Sequence, residues 1–591
     1  MSWPLVLAAL VGYAAFAATV VAHDRVERMR ARAASRRECA EISLARLARD
    51  WTRVPPAAPI DGDNAADRLT RARAADLDVD GRASLLSLVG ALTGPVGQRL
   101  LRGWLVDPPR DVEAIRARQA AARDLARSAD FREAFAAERR LNAENDATIL
   151  ASRERFLQWA VAPPSQLSAP LVRWAVRLWT AATVTCVLGA LVTDASWTVL
   201  WAPLTLIGFA VSFAAARWTY AAFDAASLGP SAIGNLVALI RLAEGMPGEA
   251  ARLDAIRRAL TEPVSASDSL GALARRVGWS EVRRSAPMLH LPMQALFLWD
   301  FHVLFAIDDW RLQAGARARA WLDALAELDA LVALGSLAHD EPAWVFPAFD
   351  GQADTPRIAA ASIGHPLLPN GVRVANDVAL GPPGTMLLVT GSNMAGKSTL
   401  LRAIGTNVML ANAGAPVCAA SMTLAPLTLA TSLRTGDSLA EGVSGYMAGL
   451  LSLKTVLDAV DAATSRPDLP AVLYLLDEIL AGTNSLERRE AVKEIARHLL
   501  ESRTIGAMTT HDLALADEPI LRQTADRVHF RETVEPGPDG TPKMTFDYTL
   551  RPGLATSTNA VALLKAIGLV RSRPDADGTP LANTTGGGNE R

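Results

Sequence analysis

Cysteine is scarce in this chain, and what there is lies scattered. Cys39, Cys186 and Cys418 stand far apart. They show neither metal-ligand spacing nor the even-numbered framework of a disulfide-stapled domain, which fits a reducing compartment and argues against cysteine chemistry. Net charge is nearly absent too: 60 Lys and Arg against 62 Asp and Glu leave −2. That balance argues against a globally cationic nucleic-acid binder and leaves only a local basic face. No internal repeat is visible. What the chain has in excess is apolar residues. Half of its 591 residues are hydrophobic; the length allows several domains with their own cores, and the excess is gathered in three stretches.

Trp3 to Ala22 carries no charged residue and is long enough to cross a ~30 Å hydrocarbon layer as a helix. The arginines follow it: Arg25, Arg28, Arg30, Arg32, Arg36 and Arg37, against Asp24 and Glu27. A cleavable signal peptide places its positive charges first, so this order predicts an uncleaved anchor with its C-terminal side in the cytoplasm. Leu178 to Val192 and Trp197 to Ala216 form an apolar pair separated by Thr193-Asp-Ala-Ser196. Arg173, Arg177 and Arg217 place both outer ends in the cytoplasm, with Trp174, Trp179, Trp197 and Trp201 near the interfaces, where indole is favoured. Pro203 is awkward in a soluble helix and tolerated in a membrane one. The competing reading is a buried helical hairpin in a large soluble core. All three orientations agree with one another, which favours the inner (cytoplasmic) membrane.

Leu44 to Trp159 is Ala- and Arg-rich with helical periodicity, broken at Val54-Pro-Pro-Ala-Ala-Pro59. Ser231 to Leu337 is again helical, most clearly over Arg317 to Leu334, with apolar positions at Trp321, Leu322, Leu325, Leu328, Leu331 and Val332. From Pro342 to about Leu569 strands and turns alternate with helices, the pattern of an α/β nucleotide-binding domain. The expected order is an anchor (1–22), a basic juxtamembrane segment (23–80), outgoing helices (81–173), a transmembrane hairpin (174–217), returning helices (218–340), the α/β domain (341–571) and a disordered tail (572–591).

Within the α/β region, Met386-Leu-Leu-Val precedes Gly391-Ser392-Asn393-Met394-Ala395-Gly396-Lys397-Ser398, and Thr399-Leu-Leu-Arg-Ala-Ile follows. Strand, glycine-bounded loop and helix make the context in which G-x-x-x-x-G-K-[ST] is a phosphate-binding loop. Backbone N–H groups and the helix N-terminus face the phosphates, Lys397 sits on the β/γ-phosphates and the Ser398 hydroxyl on Mg²⁺. The bland reading is an ordinary Gly-rich turn. About eighty residues later the apolar run Ala471–Leu476 ends in Asp477-Glu478. Asp477 is placed to reach the Mg²⁺ shell and Glu478 to polarise the attacking water. A third run, Thr504–Thr510, ends in His511, an imidazole placed to sense the γ-phosphate, although a lone His at a strand end is more often structural.

These motifs resemble MutS, the mismatch-repair branch of the ABC-type ATPases. The matching residues are Thr390 through Thr399, Leu476-Asp-Glu-Ile479 with Gly482-Thr-Asn484, Thr509-Thr-His511, Gly364-His-Pro366, Ala375-Asn376 and Tyr548-Thr-Leu-Arg-Pro-Gly553. Leu92–Leu105, Arg110-Asp-Val, Arg118-Gln119 and Ala326–Val332 look like the family's lever helices. The resemblance implies an α/β P-loop ATPase domain on an all-α lever domain, using ATP and Mg²⁺. It also implies a homodimer whose signature serine acts in trans. Ser444, in Asp437-Ser-Leu-Ala-Glu-Gly-Val-Ser444, occupies that place; a helix N-cap there is compatible with the role.

The departures are at the far end. Fewer than eighty residues precede the lever region and begin with the apolar anchor, so the mismatch-reading domain does not fit there. The membrane hairpin stands where the family has its DNA clamp. Where the family has an aromatic near the adenine this chain has Arg373. Family likeness assigns the lever's far end to DNA, whereas this sequence assigns it to the bilayer. Two expectations follow: a membrane-anchored ATPase that drives lever movement, or an ATP-switched membrane scaffold or DNA tether without mismatch recognition.

Overall fold

A computed structural model of the chain describes residues 3–57, 67–107, 111–141, 146–192, 198–226, 232–350, 355–392, 394–433, 445–466, 468–480, 485–536 and 542–555. The polar break 193–196 and the tail 572–591 lie outside these. The chain divides into two compact units: Met1–Phe349 with His365–Arg373 and Gly405–Met422, and Asp350–Gly364 with Val374–Ile404 and Thr423–Arg591.

The first unit is helical. Its α1 runs unbroken from Trp3 to Leu47. Val11, Phe16, Val20 and Val21 on its N-terminal part are exposed, while Ser35, Cys39, Ile42 and Ala45 further along are buried. The change comes where α1 meets the helix Ala129–Arg140: the Ser35 hydroxyl donates to the Ala137 carbonyl at 2.7 Å, and Arg32 pairs with Glu138 at 3.1 Å. Just past α1, Arg49 inserts a nearly buried guanidinium that pairs with Glu341 at 2.7 Å and donates to the Pro366 carbonyl at 2.9 Å. Burial pushes this guanidinium below its ordinary value, and Glu341 opposes the shift. Beside it Arg46 pairs with Asp340.

Two helices of this unit are long and apolar enough to cross a membrane: α2 (Pro170–Val192) and α3 (Thr198–Ala226), which contains Pro203. Little of either is covered by protein, 17% of the apolar window of the first and 28% of the second. Leu178, Leu188, Leu206, Ile207 and Phe213 are all exposed. Both helices extend beyond the stretches expected from composition, and Trp179, expected at an interface, packs inward against Val176, Ala215, Leu298, Phe301 and Phe305. After the helices Ala232–Glu244 and Ala251–Thr261 come α4 (Ala266–Ser285), α5 (Pro287–Phe297) and α6 (Trp299–Ala314). The helix expected over Arg317–Leu334 is α7, Ala318–Asp340. All six of its predicted apolar positions are buried, as a stripe at helical spacing requires. Gly335 lets α7 approach the helix Val112–Ala126: a Cβ there would stand 2.9 Å from that of Leu125.

The second unit is α/β. A short antiparallel pair, β1 (Ile358–Ile363) and β2 (Asn376–Leu380), accompanies a six-stranded sheet of β3 (Met386–Thr390), β4 (Leu427–Ser432), β5 (Ala471–Asp477), β6 (Thr504–Thr510), β7 (Ala525–Pro536) and β8 (Pro542–Pro552). The sheet order is β8-β7-β3-β6-β5-β4, parallel except for the antiparallel edge pair β7–β8. β3 and β6 are buried at every position, as continuous apolar runs in a parallel sheet covered on both faces should be. Gly506 pairs with Tyr474 in the β5–β6 register, and an added Cβ would lie 2.3 Å from the Tyr474 carbonyl oxygen and 2.4 Å from its ring. Glycine here makes room for a fully buried tyrosine. Gly506→Ala is expected to cost about 1–3 kcal/mol by overpacking. The readout is a lower unfolding temperature in a thermal melt; an unchanged melt would contradict this packing.

Candidate nucleotide site

Strand register brings the site together. Thr390 pairs with Thr510 across β3–β6, and Asp477 with Thr509 across β5–β6. The C-terminal ends of three neighbouring parallel strands therefore share one edge, where open α/β sheets bind ligands.

The loop after β3 turns through left-handed backbone at Gly391 (φ +142°), Met394 (+76°) and Gly396 (+104°). Glycine is needed at its two ends, because a Cβ on Gly391 would crowd the Phe530 carbonyl at 3.3 Å and one on Gly396 the Tyr548 ring at 3.0 Å. Ala395 is buried, and the exposed Ser398 and Thr399 lie in the first turn of α8 (Lys397–Ala413). Only 4% of the Lys397 side chain is exposed, and its ammonium is surrounded by oxygen: the Gly391 carbonyl at 2.9 Å, the Ser392 carbonyl at 3.0 Å and Glu478 Oε1 at 3.0 Å. Ser392 donates from its hydroxyl to the buried carboxylate of Glu532 on β7, which pins the loop to the sheet.

Asp477 and Glu478 point differently because the backbone turns between them, Glu478 having φ +44°. Thr509 holds both: its hydroxyl donates to Asp477 Oδ1 at 2.5 Å and accepts the Glu478 N–H at 3.0 Å. The other Glu478 oxygen lies 3.3 Å from His511 Nδ1. Lys397, Glu478 and His511 thus form one chain of contacts. A small cavity is lined by Glu478, Thr509, Thr510 and His511 with Arg488 and Met508. Next to His511, Asp512 caps the short helix Leu513–Ala516. Burial pushes its carboxyl up, but the Leu515 N–H, Arg489 and the Ala514 N–H outweigh that and hold it below the usual carboxylate range.

The donor set suits a magnesium-bound triphosphate. The loop is bounded by two glycines without a Cβ, a hydroxyl stands at the start of α8, and a carboxylate ends β5, one strand removed from β3 across β6. Asn393, Ser444 and Gly482–Asn484 fall outside the described residues.

Three residues escaped the sequence reading as site members. Thr509 and Glu532 are holders of other groups, a role that no spacing reveals. Tyr548 was visible only as part of a motif. It sits at φ +51° in an irregular stretch where the β7–β8 register slips, its ring 42% exposed, stacked on Phe546 at 5.9 Å and leaning over Gly396. Asn376 fixes this bulge by donating to the Tyr548 carbonyl at 3.0 Å and accepting the Leu550 N–H at 2.7 Å. Arg373, which stands where the family has an aromatic near the adenine, is committed elsewhere: its guanidinium donates to the Leu368 carbonyl at 2.7 Å and to Cys418 Sγ at 3.0 Å, and lies over the Trp344 ring.

Sheet order, loop and strand-end carboxylates define a P-loop ATPase-type domain. Residues 387–572 match the family model of MutS domain V, the ATPase domain of that family. The match supports the MutS likeness of the motifs and covers the loop, the Asp477-Glu478 strand and His511.

Because Thr509 holds the Asp477 carboxylate and the Glu478 backbone N–H, Thr509→Val is expected to lower ATP turnover about tenfold or more, the worth of a hydrogen bond to a charged group. Thr509→Ser restores it. Equal rates for the Val and Ser variants would show that the hydroxyl does not matter.

Proposed function

We propose that this chain is a membrane-anchored ATPase of MutS type, in which ATP binding and hydrolysis at composite sites between two copies move the helices of the first unit. The observation that carries it is the Lys397–Glu478–His511 chain at the edge of the parallel sheet, within a segment matching MutS domain V.

In this reading the backbone from Gly391 to Gly396 cradles the phosphates, with Ser392, Asn393, Met394 and Ala395 supplying N–H groups, and Lys397 exchanges its carbonyl partners for β/γ-phosphate oxygens. Ser398 and Asp477 hold the magnesium ion, which when bound neutralises phosphate charge; Thr399 lies in the same helical turn. Glu478, released from Lys397, polarises the attacking water, and His511 steadies that carboxylate and senses the γ-phosphate. Tyr548 offers a ring face to the base. Ser444 reaches the partner copy's nucleotide. The expected residence is the inner membrane with the ATPase domain in the cytoplasm. This is supported by two helices of membrane-crossing length and apolar character and by the arginines that follow the apolar start of α1. DNA enters only through the family likeness, and we expect weak duplex binding with little preference for mismatches.

Lys397→Ala is expected to abolish ATP turnover by the purified protein; full activity in that variant would sink the site assignment. Glu478→Gln should keep ATP bound while losing hydrolysis, and membrane fractions holding the trapped protein should yield the partner that the stroke acts on. Tyr548→Ala is expected to weaken ATP binding about tenfold, the scale of one lost base–aromatic stack, with Tyr548→Phe close to wild type in titration. Equal affinities for the Ala and Phe variants would remove the ring from the site.

A further inference from the structure

We propose that residues 287–299 are a third membrane-embedded element, a half-depth helical turn that inserts beside α2 and α3 and faces lipid through Met288, Leu289 and Leu291. This rests on the membrane reading of α2 and α3.

From Ala286 to Trp299 there is no Asp, Glu, Lys or Arg. The eleven residues of α5 span only ~16 Å at 1.5 Å each, half of a ~30 Å hydrocarbon layer, so the segment is too short to be recognised as a span. Its contacts give its depth. Thr180, midway along the apolar stretch Pro170–Ala190, donates its hydroxyl to the Phe297 carbonyl at 3.0 Å. Gly208, inside the apolar stretch Ala202–Ala226, lies where a Cβ would be 3.1 Å from the Ala295 carbonyl oxygen. A small residue at a close helix crossing is how membrane helices pack. The far end of α5 therefore lies between α2 and α3, within their apolar stretches.

There the chain reverses. Leu298 takes left-handed backbone (φ +52°) and is buried among Val176, Ala215, Phe301 and Phe305. α6 then returns along α2, ending this contact with an ion pair from Asp309 to Arg173 at 2.5 Å. Every polar feature named at the reversal is met inside the protein. The Asp300 N–H donates to Gln294 Oε1 at 2.9 Å, the Asp300 carboxylate meets His290 Nε2 at 3.0 Å, and the Phe297 carbonyl has Thr180. Non-helical backbone at membrane depth requires that enclosure.

The outer side of α5 is the reverse. Met288 is 87% exposed, and Leu289 and Leu291 are at least half exposed. They continue the bare apolar surface of neighbouring α3, where Leu206 and Phe213 are 71% and 79% exposed. Arg283 and Arg284 end α4 just before α5. Arg284 pairs with Asp224 and Arg283 lies over Tyr220, both at the C-terminal end of α3, so charge stops where the apolar run begins. The continuous surface and its arginine edge fit a bilayer.

The test uses the full chain with its three cysteines replaced by serine, reconstituted in phosphatidylcholine–phosphatidylglycerol vesicles. Bimane is placed at Met288→Cys or Leu291→Cys, at Leu206→Cys as the span reference and at exposed Val372→Cys as the aqueous one. Circular dichroism confirms folding. We expect nitroxide-acyl lipid to quench positions 288 and 291 as strongly as 206, with a several-fold loss of iodide quenching relative to 372. Iodide quenching of 288 and 291 like 372, with 206 quenched by lipid, overturns the half-depth element alone. Iodide quenching at 206 as well overturns the membrane reading beneath it.

Discussion

A nearly buried ammonium with three oxygen partners holds the candidate site together. Lys397 leaves the first turn of α8 and returns to the carbonyls of Gly391 and Ser392, so the loop is closed on itself by its own lysine. The third partner, Glu478, comes from another strand. A charge taken out of water is tolerated only with such partners, so loop and carboxylate strand depend on each other. The contact is possible because β3, β6 and β5 are parallel and in a register that places their C-terminal ends together. In the proposed reading it also gives the lysine a reason to move, since phosphate oxygens are stronger partners than carbonyls and would leave Glu478 free.

The helical unit has buried charges of its own, and one group of them lies where α1 ends. Arg46 and Arg49 meet Asp340 and Glu341 at the end of α7, and Arg49 adds the Pro366 carbonyl. Breaking one member of such a pair strands the other in a dry place. The N-terminal helix is therefore tied at its C-terminal end, while Val11, Phe16, Val20 and Val21 on its N-terminal part are exposed. The proposed half-depth turn belongs to this unit as well and follows the same rule: polar groups satisfied within, apolar side chains left outside.

The parts of the site legible from sequence are those in which function needs a contiguous run. Gly391 to Ser398 must be adjacent because one loop wraps one phosphate chain, and Asp477-Glu478 must follow an apolar strand. Ser444 was placed by family likeness alone. Thr509, Glu532 and Tyr548 were not legible as site residues, because each acts across the sheet on a group 30 to more than 150 residues away. Sequence position leaves the role of Arg373 equally open: it neighbours the right motif but spends its guanidinium on Leu368 and Cys418. The two helices of membrane-crossing length, α2 and α3, were legible because length and apolar composition alone decide them. α5 was not, because an eleven-residue apolar helix containing two prolines and a histidine matches no span.

By itself, then, the sequence determined the local patterns: a glycine-bounded loop of phosphate-binding type, a carboxylate pair after an apolar strand, an apolar N-terminal stretch and a pair of apolar helices, each with a physical period or spacing. Tertiary structure alone decided which side chains share an edge, through the parallel register that puts Thr509 between Asp477 and Glu478. It also decided which short helix is carried to the middle of α2 and α3, through Gly208 and Thr180. Such contacts join residues distant along the chain, and only packing selects among the many partners that composition would allow.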